Sequence, residues 1–277
     1  MGATVSRRLA KLSVCLAIVW PAAYAVPAAR AGSPSPAPSA TPPSLSITFA
    51  EQPARLVRGR SLYRVGRGTG LQPDDLLESG SGVIQLDAGG ATLAIGPATR
   101  IWIRNGSDLV LLDGWLKLQG RGGRAMTVST ANLALSGGAA SLTLQASGVT
   151  TAVFAEAGEV PVRELDAGKA RRAARLASEQ FASRVGVQPL RQAARPPPDF
   201  LAALPRDLRD ALVPVPASGP AVLPRPERAP SFAELAPWAA GHGALRQLLQ
   251  RRFEPPRPAR AVRAPSPAPQ QAPASLP

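Results

Sequence analysis

The sequence predicts an all-β central domain followed by a proline- and arginine-rich tail with short helices. Three observations support this fold class: aliphatic residues alternate through the middle of the chain, glycine-containing turns separate the alternating runs, and no gap is long enough for a crossover helix. The composition agrees, because the 277 residues include 25 glycines and 31 prolines while aromatic residues make up only 4%. A mostly helical enzyme is therefore not expected.

The N-terminal residues have the pattern of a secretory signal peptide. Arg7, Arg8 and Lys11 precede a largely apolar run from Leu12 to Trp20, and small residues follow it at Ala23-Tyr24-Ala25. As a helix this run is only about 14 Å long, about half the thickness of a bilayer core, so it is too short for a permanent membrane span. We predict a signal peptide over residues 1–25, with cleavage as late as residue 31, and export to the periplasm.

Few residues in the sequence can carry metal or redox chemistry. The one cysteine, Cys15, lies within the predicted signal peptide, so the exported chain is expected to lack disulfides, thiol nucleophiles and thiolate ligands. The one histidine, His242, lies between two glycines and is a poor candidate for a general base or a metal ligand. We predict no cofactor, no metal site and no catalytic residue.

Charge divides the chain into segments. Residues 32–44 are a linker rich in serine, proline and alanine, whereas residues 45–168 carry eleven basic and eleven acidic residues with only four prolines. Residues 169–277 carry seventeen basic and seven acidic residues with twenty prolines. The net charge of +14 therefore lies mostly outside the predicted folded domain, which argues against specific nucleic-acid binding. The basic tail is either a solvated spacer or a segment in loose contact with an anionic envelope surface.

The central domain, residues 45–168, is expected to contain about ten short strands. In each predicted strand two aliphatic residues stand two positions apart and share one face, while the residue between them takes the opposite face. The pairs are Ile84/Leu86, Leu93/Ile95, Ile101/Ile103, Leu116/Leu118, Met126/Val128, Leu133/Leu135, Leu142/Leu144 and Val160/Val162. Turn signals such as Asn105-Gly106 and Asp113-Gly114 separate the runs, because these residues tolerate the positive φ of tight turns. A sandwich, a roll and a short solenoid all fit this pattern.

The C-terminal third is predicted to contain short ordered segments. Residues 169–254 form a basic, proline-rich region with short helices, and residues 255–277 are predicted to be disordered. Ala170 to Val185 is interpreted as an amphipathic helix that either covers an edge of the β-domain or contacts an anionic surface. A second helical segment is predicted within Phe200 to Leu212, and Ser231 opens a third as part of a capping box. Docking onto the β-domain or onto another protein would bury the apolar residues of these helices.

Several segments between residues 55 and 165 follow one another in a particular order: Leu71 to Gly80, Val83 to Asp87, Gly89-Gly90, Leu93 to Pro97, Thr130-Ala131 and Glu156 to Val160. This order resembles the FecR domain of bacterial envelope proteins. The resemblance implies a non-catalytic periplasmic domain. It also implies an exported stand-alone member, because the cytoplasmic helical segment and the membrane span through which the namesake proteins signal to a sigma factor are not found in the sequence.

Two pairs of a tryptophan and a cation form the predicted binding or docking surface. Trp102 and Arg104 take the face opposite the aliphatic pair of their strand, and Trp115 and Lys117 do the same in theirs. Such pairs can stack a ligand, satisfy each other through cation–π contacts, or seat the C-terminal helices. All three interpretations stay open at this point.

Together these features predict an exported non-enzymatic protein that acts in envelope sensing or organisation. Its expected partner is an envelope protein or a cell-wall polymer, and neither a specific nucleic acid nor a membrane span in the mature chain is expected. The alternative is a cell-wall-polymer hydrolase that uses two carboxylates as acid and base. Its candidate residues are Asp74, Asp75, Glu78, Asp108, Asp113, Glu156 and Glu159.

Overall fold

The computed structural model describes residues 45–123, 125–216 and 223–253. The predicted signal peptide, the linker at 32–44 and the tail at 255–277 lie outside these ranges. The described part of the chain is mostly β-structure, with short helices towards its C-terminal end. The predicted fold class is therefore confirmed.

Thirteen strands lie between residues 46 and 166 of the described chain, more than the sequence predicts. Strands as short as Leu76–Glu78 cannot show an alternating pattern, which explains part of the difference. The strands are β1 (Ser46–Ala50), β2 (Ala54–Arg58), β3 (Ser61–Val65), β4 (Leu76–Glu78), β5 (Ile84–Asp87), β6 (Ala91–Ile95), β7 (Arg100–Asn105), β8 (Asp108–Gly120), β9 (Met126–Ser129), β10 (Leu133–Gly137), β11 (Ser141–Ser147), β12 (Thr150–Ala157) and β13 (Val160–Asp166).

Four more strands follow within residues 169–254, for which the sequence predicts a basic, proline-rich region with short helices. They are β14 (Lys169–Leu176), β15 (Phe181–Val185), β16 (Arg191–Ala193) and β17 (Arg225–Arg228). The amphipathic helix predicted for Ala170 to Val185 is wrong, because this range holds β14 and β15. Alanine and arginine favour a helix by only a fraction of a kcal/mol per residue, whereas β14 pairs along the open edge of β13 and β15 along that of β12. Strand pairing therefore overrides the local helix preference.

The strands form two sheets that share β8. Sheet I runs in the order β1-β5-β6-β8-β11-β12-β15-β16, and sheet II in the order β17-β3-β2-β4-β7-β8-β9-β10-β13-β14. The described neighbours pair antiparallel except β8 and β9, which are parallel.

β8 passes from one sheet to the other at Gly114. Residues up to Asp113 pair with β7 in sheet II, and residues from Gly114 onwards pair with β11 in sheet I. The Asp113-Gly114 signal was predicted to end a strand, but it marks a bend inside one strand of thirteen residues. Gly114 has φ +96°, and a Cβ at this position would lie 2.3 Å from Thr99 Oγ1, so the bend requires glycine.

The alternating aliphatic residues of both sheets meet in one interior. Leu77 and Ile101 of sheet II and Leu93 and Leu116 of sheet I are fully buried in the same hydrophobic cluster. Residues at the intervening positions point away from this cluster, towards the outer faces of the sheets. The sheets therefore pack as a sandwich around a dry core.

Short helices follow in the C-terminal part of the chain. They are α1 (Pro198–Ala203), a 3₁₀ helix (Arg206–Leu208), α2 (Phe232–Leu235), a 3₁₀ helix (Ala236–Ala239) and α3 (Gly243–Phe253). The cap predicted at Ser231 is confirmed, since its hydroxyl accepts a hydrogen bond from Glu234 N at 3.2 Å. The Glu234 side chain does not complete a capping box but bonds Arg228 instead.

The C-terminal part covers the outer faces of both sheets. Residues 198–216, which we call the first tail segment, pack through Phe200, Leu204 and Leu208 on the outer face of sheet I. Residues 225–253, the second tail segment, add β17 to sheet II and pack α2 and α3 on its outer face. The sandwich is thereby flanked by its own chain on each side.

Candidate functional site

The structure places the four predicted surface residues on opposite sides of the sandwich. Trp102 and Arg104 belong to β7 and lie on the outer side of sheet II, whereas Trp115 and Lys117 belong to the second half of β8 and lie on the outer side of sheet I. The change of sheet at Gly114 separates the two pairs, so they do not form one continuous surface.

Lys117 is the largest fully buried side chain of the described residues, with 1% of its surface exposed. Its Nζ lies 2.8 Å from Glu156 Oε2 and donates a hydrogen bond to Leu208 O at 3.1 Å. Glu156 also accepts hydrogen bonds from the hydroxyls of Thr143 at 2.5 Å and Ser141 at 3.0 Å. The buried cation therefore links β8, β12 and the first tail segment.

Two glutamines of sheet I bind the backbone of the first tail segment beyond Lys117. The Gln85 side chain donates to Val213 O at 2.9 Å and accepts from Val215 N at 3.0 Å. Gln119 Oε1 accepts from Leu212 N at 2.8 Å. The outer face of sheet I thus binds an extended peptide by its main chain. Polar residues at outward positions of apolar strands are the sequence signal for such contacts.

Trp115 packs against the same tail segment. Its ring centroid lies 5.1 Å from that of Phe200, which in turn contacts Phe181 edge-on at 5.1 Å. Trp115 is buried, with 9% of its surface exposed. Its ring is thus covered by the protein's own chain and presents no open stacking face.

Trp102 lies under the second tail segment. It is 9% exposed and packs in one cluster with Leu235 and Leu245. Its indole Nε1 is buried and has no hydrogen-bond partner among the described residues, which costs about 1–3 kcal/mol for an unsatisfied donor. Arg104 remains half exposed at the rim, with its guanidinium carbon 5.8 Å from the Trp102 ring and its Nη1 3.4 Å from Asp108 Oδ2.

A cavity of about 380 Å³ lies beside Trp102 and Arg104. The connection between the second 3₁₀ helix and α3 forms one wall and contributes His242. Burial lowers the pKa of His242 to about 4, so its imidazole is neutral at physiological pH. The structure thus brings Trp102 and Arg104 together with His242, which the sequence does not indicate as a site residue.

Six of the seven candidate carboxylates of a hydrolase form an ion pair within the described residues. Asp75 accepts a hydrogen bond from Arg58 Nε at 2.9 Å, and Glu78 accepts one from Arg100 Nε at 2.8 Å. Burial raises the pKa of Asp108. Asp113 and Glu156 each line a cavity, and these cavities are different ones. In the described ranges, no three aspartate, glutamate, histidine or cysteine side chains are grouped as they would be to hold a metal ion.

β14 is a basic strand at the edge of sheet II. It pairs with β13, and no other strand of the described chain pairs with it. Residues 169–173 are all exposed, so the strand projects beyond the covered part of the sandwich. Its four cations are Lys169, Arg171, Arg172 and Arg175. Arg175 lies 2.7 Å from Glu159 and Arg171 lies 3.6 Å from Asp166, both within the β13–β14 hairpin and its preceding turn.

Comparison with known proteins yields distant likeness to solved structures. No protein-family model and no curated protein matches the chain. Two crystal structures of a candidate anti-sigma factor from Parabacteroides distasonis are similar to part of it, each with a TM-score of 0.37 and with sequence identities of 13% and 12%. The match covers 43% of this chain and 59% of that protein. Likeness at this level assigns neither a family nor a function, and the FecR resemblance stays a prediction.

The longest described helix, α3, has eleven residues. Across residues 45–123, 125–216 and 223–253, none of the helices has both the length and the apolar character that a membrane span needs.

Proposed function

We propose that this chain is an exported, non-enzymatic FecR-like protein that acts in the bacterial envelope by binding an acidic segment of another protein. The observation that carries this proposal is the open edge of β14. An edge strand presents a row of backbone N–H and C=O groups, and an extended peptide can add to it as a further strand. A cell-wall glycan lacks the repeating peptide groups that such pairing needs, so a protein partner is favoured over a polymer.

The charge of β14 selects among protein partners. Its eight residues include four cations and no acid, so a second copy of the same strand is repelled while an acidic strand is attracted. Lys169 and Arg172 have no ion pair within the described residues, and Arg171 and Arg175 are more than half exposed. The hairpin therefore keeps unneutralised positive charge beside free backbone groups.

Titration with synthetic peptides tests this proposal. An extended peptide that alternates glutamate with valine should bind the mature chain, and the same peptide with lysine in place of glutamate should not. Binding should slow hydrogen exchange of the β14 amides, because a new strand covers them. Arg171→Glu/Arg172→Glu should abolish binding of the acidic peptide, whereas the matched control Arg60→Glu/Arg206→Glu, with equal net charge, should retain it. Equal loss in both variants, or unchanged exchange in β14, would contradict the proposal.

The arrangement of acids supports binding over hydrolysis. A glycosidase needs two carboxylates on either side of one substrate position, about 5–10 Å apart. Here Asp75 and Glu78 are each bonded to arginine, and Glu156 is bonded to the buried Lys117. Release of soluble fragments from purified cell wall by the mature chain would refute the non-enzymatic part of the proposal.

A further inference from the structure

Three exposed valines lie together at one end of the sandwich. Val149 belongs to the turn between β11 and β12, whereas Val185 ends β15 and Val187 follows it. The Gly186 N–H donates a hydrogen bond to the Val149 carbonyl at 2.8 Å, which holds the two loops side by side. The exposed fractions are 60% for Val149, 44% for Val185 and 75% for Val187. A single exposed valine is ordinary, but three adjacent ones indicate a contact surface, which we call the valine tip.

Two buried side chains hold the loops of the valine tip from beneath. Asn132 Nδ2 donates hydrogen bonds to the carbonyls of Val149 at 2.8 Å and Gly186 at 3.4 Å. Arg184, which is 3% exposed, donates from Nε to the carbonyl of Gln188 at 2.8 Å. The carbonyls of these loops thus have donors within the protein. An apolar medium requires this, because hydrocarbon offers no hydrogen bonds to the backbone.

The turn between β13 and β14 carries positive charge beside the valine tip. Nη1 of the same Arg184 also donates to the carbonyl of Leu165 at 2.6 Å, so the end of β13 lies next to the loop that follows β15. The next residues, 166–172, which we call the basic turn, include three cations and one acid. The cations are Lys169, Arg171 and Arg172, and all three are exposed. The acid, Asp166, lies 3.6 Å from Arg171, so positive charge remains in excess.

We propose that the valine tip and the basic turn dock reversibly onto a lipid bilayer that contains anionic headgroups. The valines would enter the boundary between headgroups and acyl chains, and the cations would meet the lipid phosphates. A bilayer is favoured over a protein partner because the loop carbonyls already have donors and leave few free groups for a polar interface. The docking does not use the free backbone edge of β14, so it does not depend on the protein partner proposed above.

Sedimentation with lipid vesicles tests the docking. The mature chain should bind vesicles of equal parts phosphatidylglycerol and phosphatidylcholine about tenfold more tightly than vesicles of phosphatidylcholine alone, because the cations need anionic headgroups. Val149→Ser/Val187→Ser should weaken binding to the anionic vesicles about tenfold, since two apolar side chains no longer leave water. The matched control Val213→Ser/Leu223→Ser changes two residues that are 76% and 77% exposed, and it should bind as wild type does.

A fluorescent label distinguishes insertion of the valine tip from adsorption through charge. The mature chain is expected to lack cysteine, because Cys15 lies in the predicted signal peptide, so Val187→Cys supplies a single labelling position. A nitrobenzoxadiazole label there should brighten and shift to shorter wavelength with anionic vesicles, whereas the same label at Val213→Cys should not.

The proposal is overturned if Val149→Ser/Val187→Ser binds anionic vesicles as its control does, or if the two labels respond equally. Either result would mean that charge alone brings the chain to lipid. Val149→Ser/Val187→Ser should still bind the acidic peptide of the β14 test, so the two proposals can fail separately.

Discussion

Replacing Lys117 with methionine removes one buried positive charge and keeps most of the side-chain volume. The Glu156 carboxylate would lose its cation at 2.8 Å, and the Leu208 carbonyl would lose its donor at 3.1 Å. Removing one partner of a buried ion pair costs about 3–5 kcal/mol, and we expect the lower end because the Glu156 side chain is 20% exposed. In a domain of this size each kcal/mol lowers the melting temperature by about 2–4 °C, so Lys117→Met should melt about 6–12 °C below wild type.

Urea unfolding measures the loss of stability in Lys117→Met, and hydrogen exchange measures the weaker attachment of the first tail segment. The double variant Lys117→Met/Glu156→Gln should be more stable than Lys117→Met, because it no longer leaves a carboxylate unpaired. Exchange of the Leu204 and Leu212 amides should accelerate in Lys117→Met, since the tail segment loses one attachment to sheet I. Lys169→Met, at an exposed lysine, is the matched control. If Lys117→Met lies within about 0.5 kcal/mol of Lys169→Met, the reasoning is refuted.

Two further changes follow from the described geometry. Gly114→Ala should destabilise the protein by about 2 kcal/mol or more in urea unfolding, because φ is +96° and the new Cβ would lie 2.3 Å from Thr99 Oγ1. Gly148→Ala is the control and should cost less, because Gly148 has φ +57° and no atom lies within 4 Å of the added Cβ. Burial lowers the pKa of His242 to about 4 in the folded protein, from its ordinary value of 6.5, so between these pH values the unfolded chain binds a proton that the folded chain does not. Stability should therefore fall as pH drops from 6.5 to about 4, by at most about 3 kcal/mol, and His242→Gln should remove this part of the pH dependence. An unchanged slope in His242→Gln would contradict that assignment.

The strands of the sandwich could be predicted because alternation is a local property. The aliphatic residues Ile101 and Ile103 share the core face, and Trp102 between them takes the opposite one, as the spacing predicts. The period of two depends only on the backbone of one strand. The bend at Gly114 could not be separated from a hairpin turn, because both need a residue with positive φ.

The error over residues 170–185 has a different physical cause. Alanine and arginine are compatible with a helix, and the choice of a strand is made by β12 and β13, whose edges accept β15 and β14. A partner strand is a long-range contact, which the local sequence does not contain. Leu176 at the end of β14 and Phe181 at the start of β15 are also buried, which further stabilises the two strands.

The partners of the outward-facing side chains of sheet I could also not be predicted from the sequence, because they lie far away along the chain. A lysine within an alternating strand predicts an exposed cation, yet Lys117 is buried because Leu208, ninety-one positions away, closes over it. Gln85 bonds a segment 128 positions away. The spacing of residues in β8 fixes which face these side chains take, but not what lies above that face.

The tail segments that cover the sandwich are synthesised after the strands that they cover. Strands β1 to β16 are complete once residue 193 has been synthesised, and without the tail segments both outer faces would present tryptophan to water. The two tail segments, residues 198–216 and 225–253, cover these tryptophans. A sandwich that formed before its tail segments docked would expose apolar side chains on both outer faces, and aggregation or chaperone capture would act on such an intermediate.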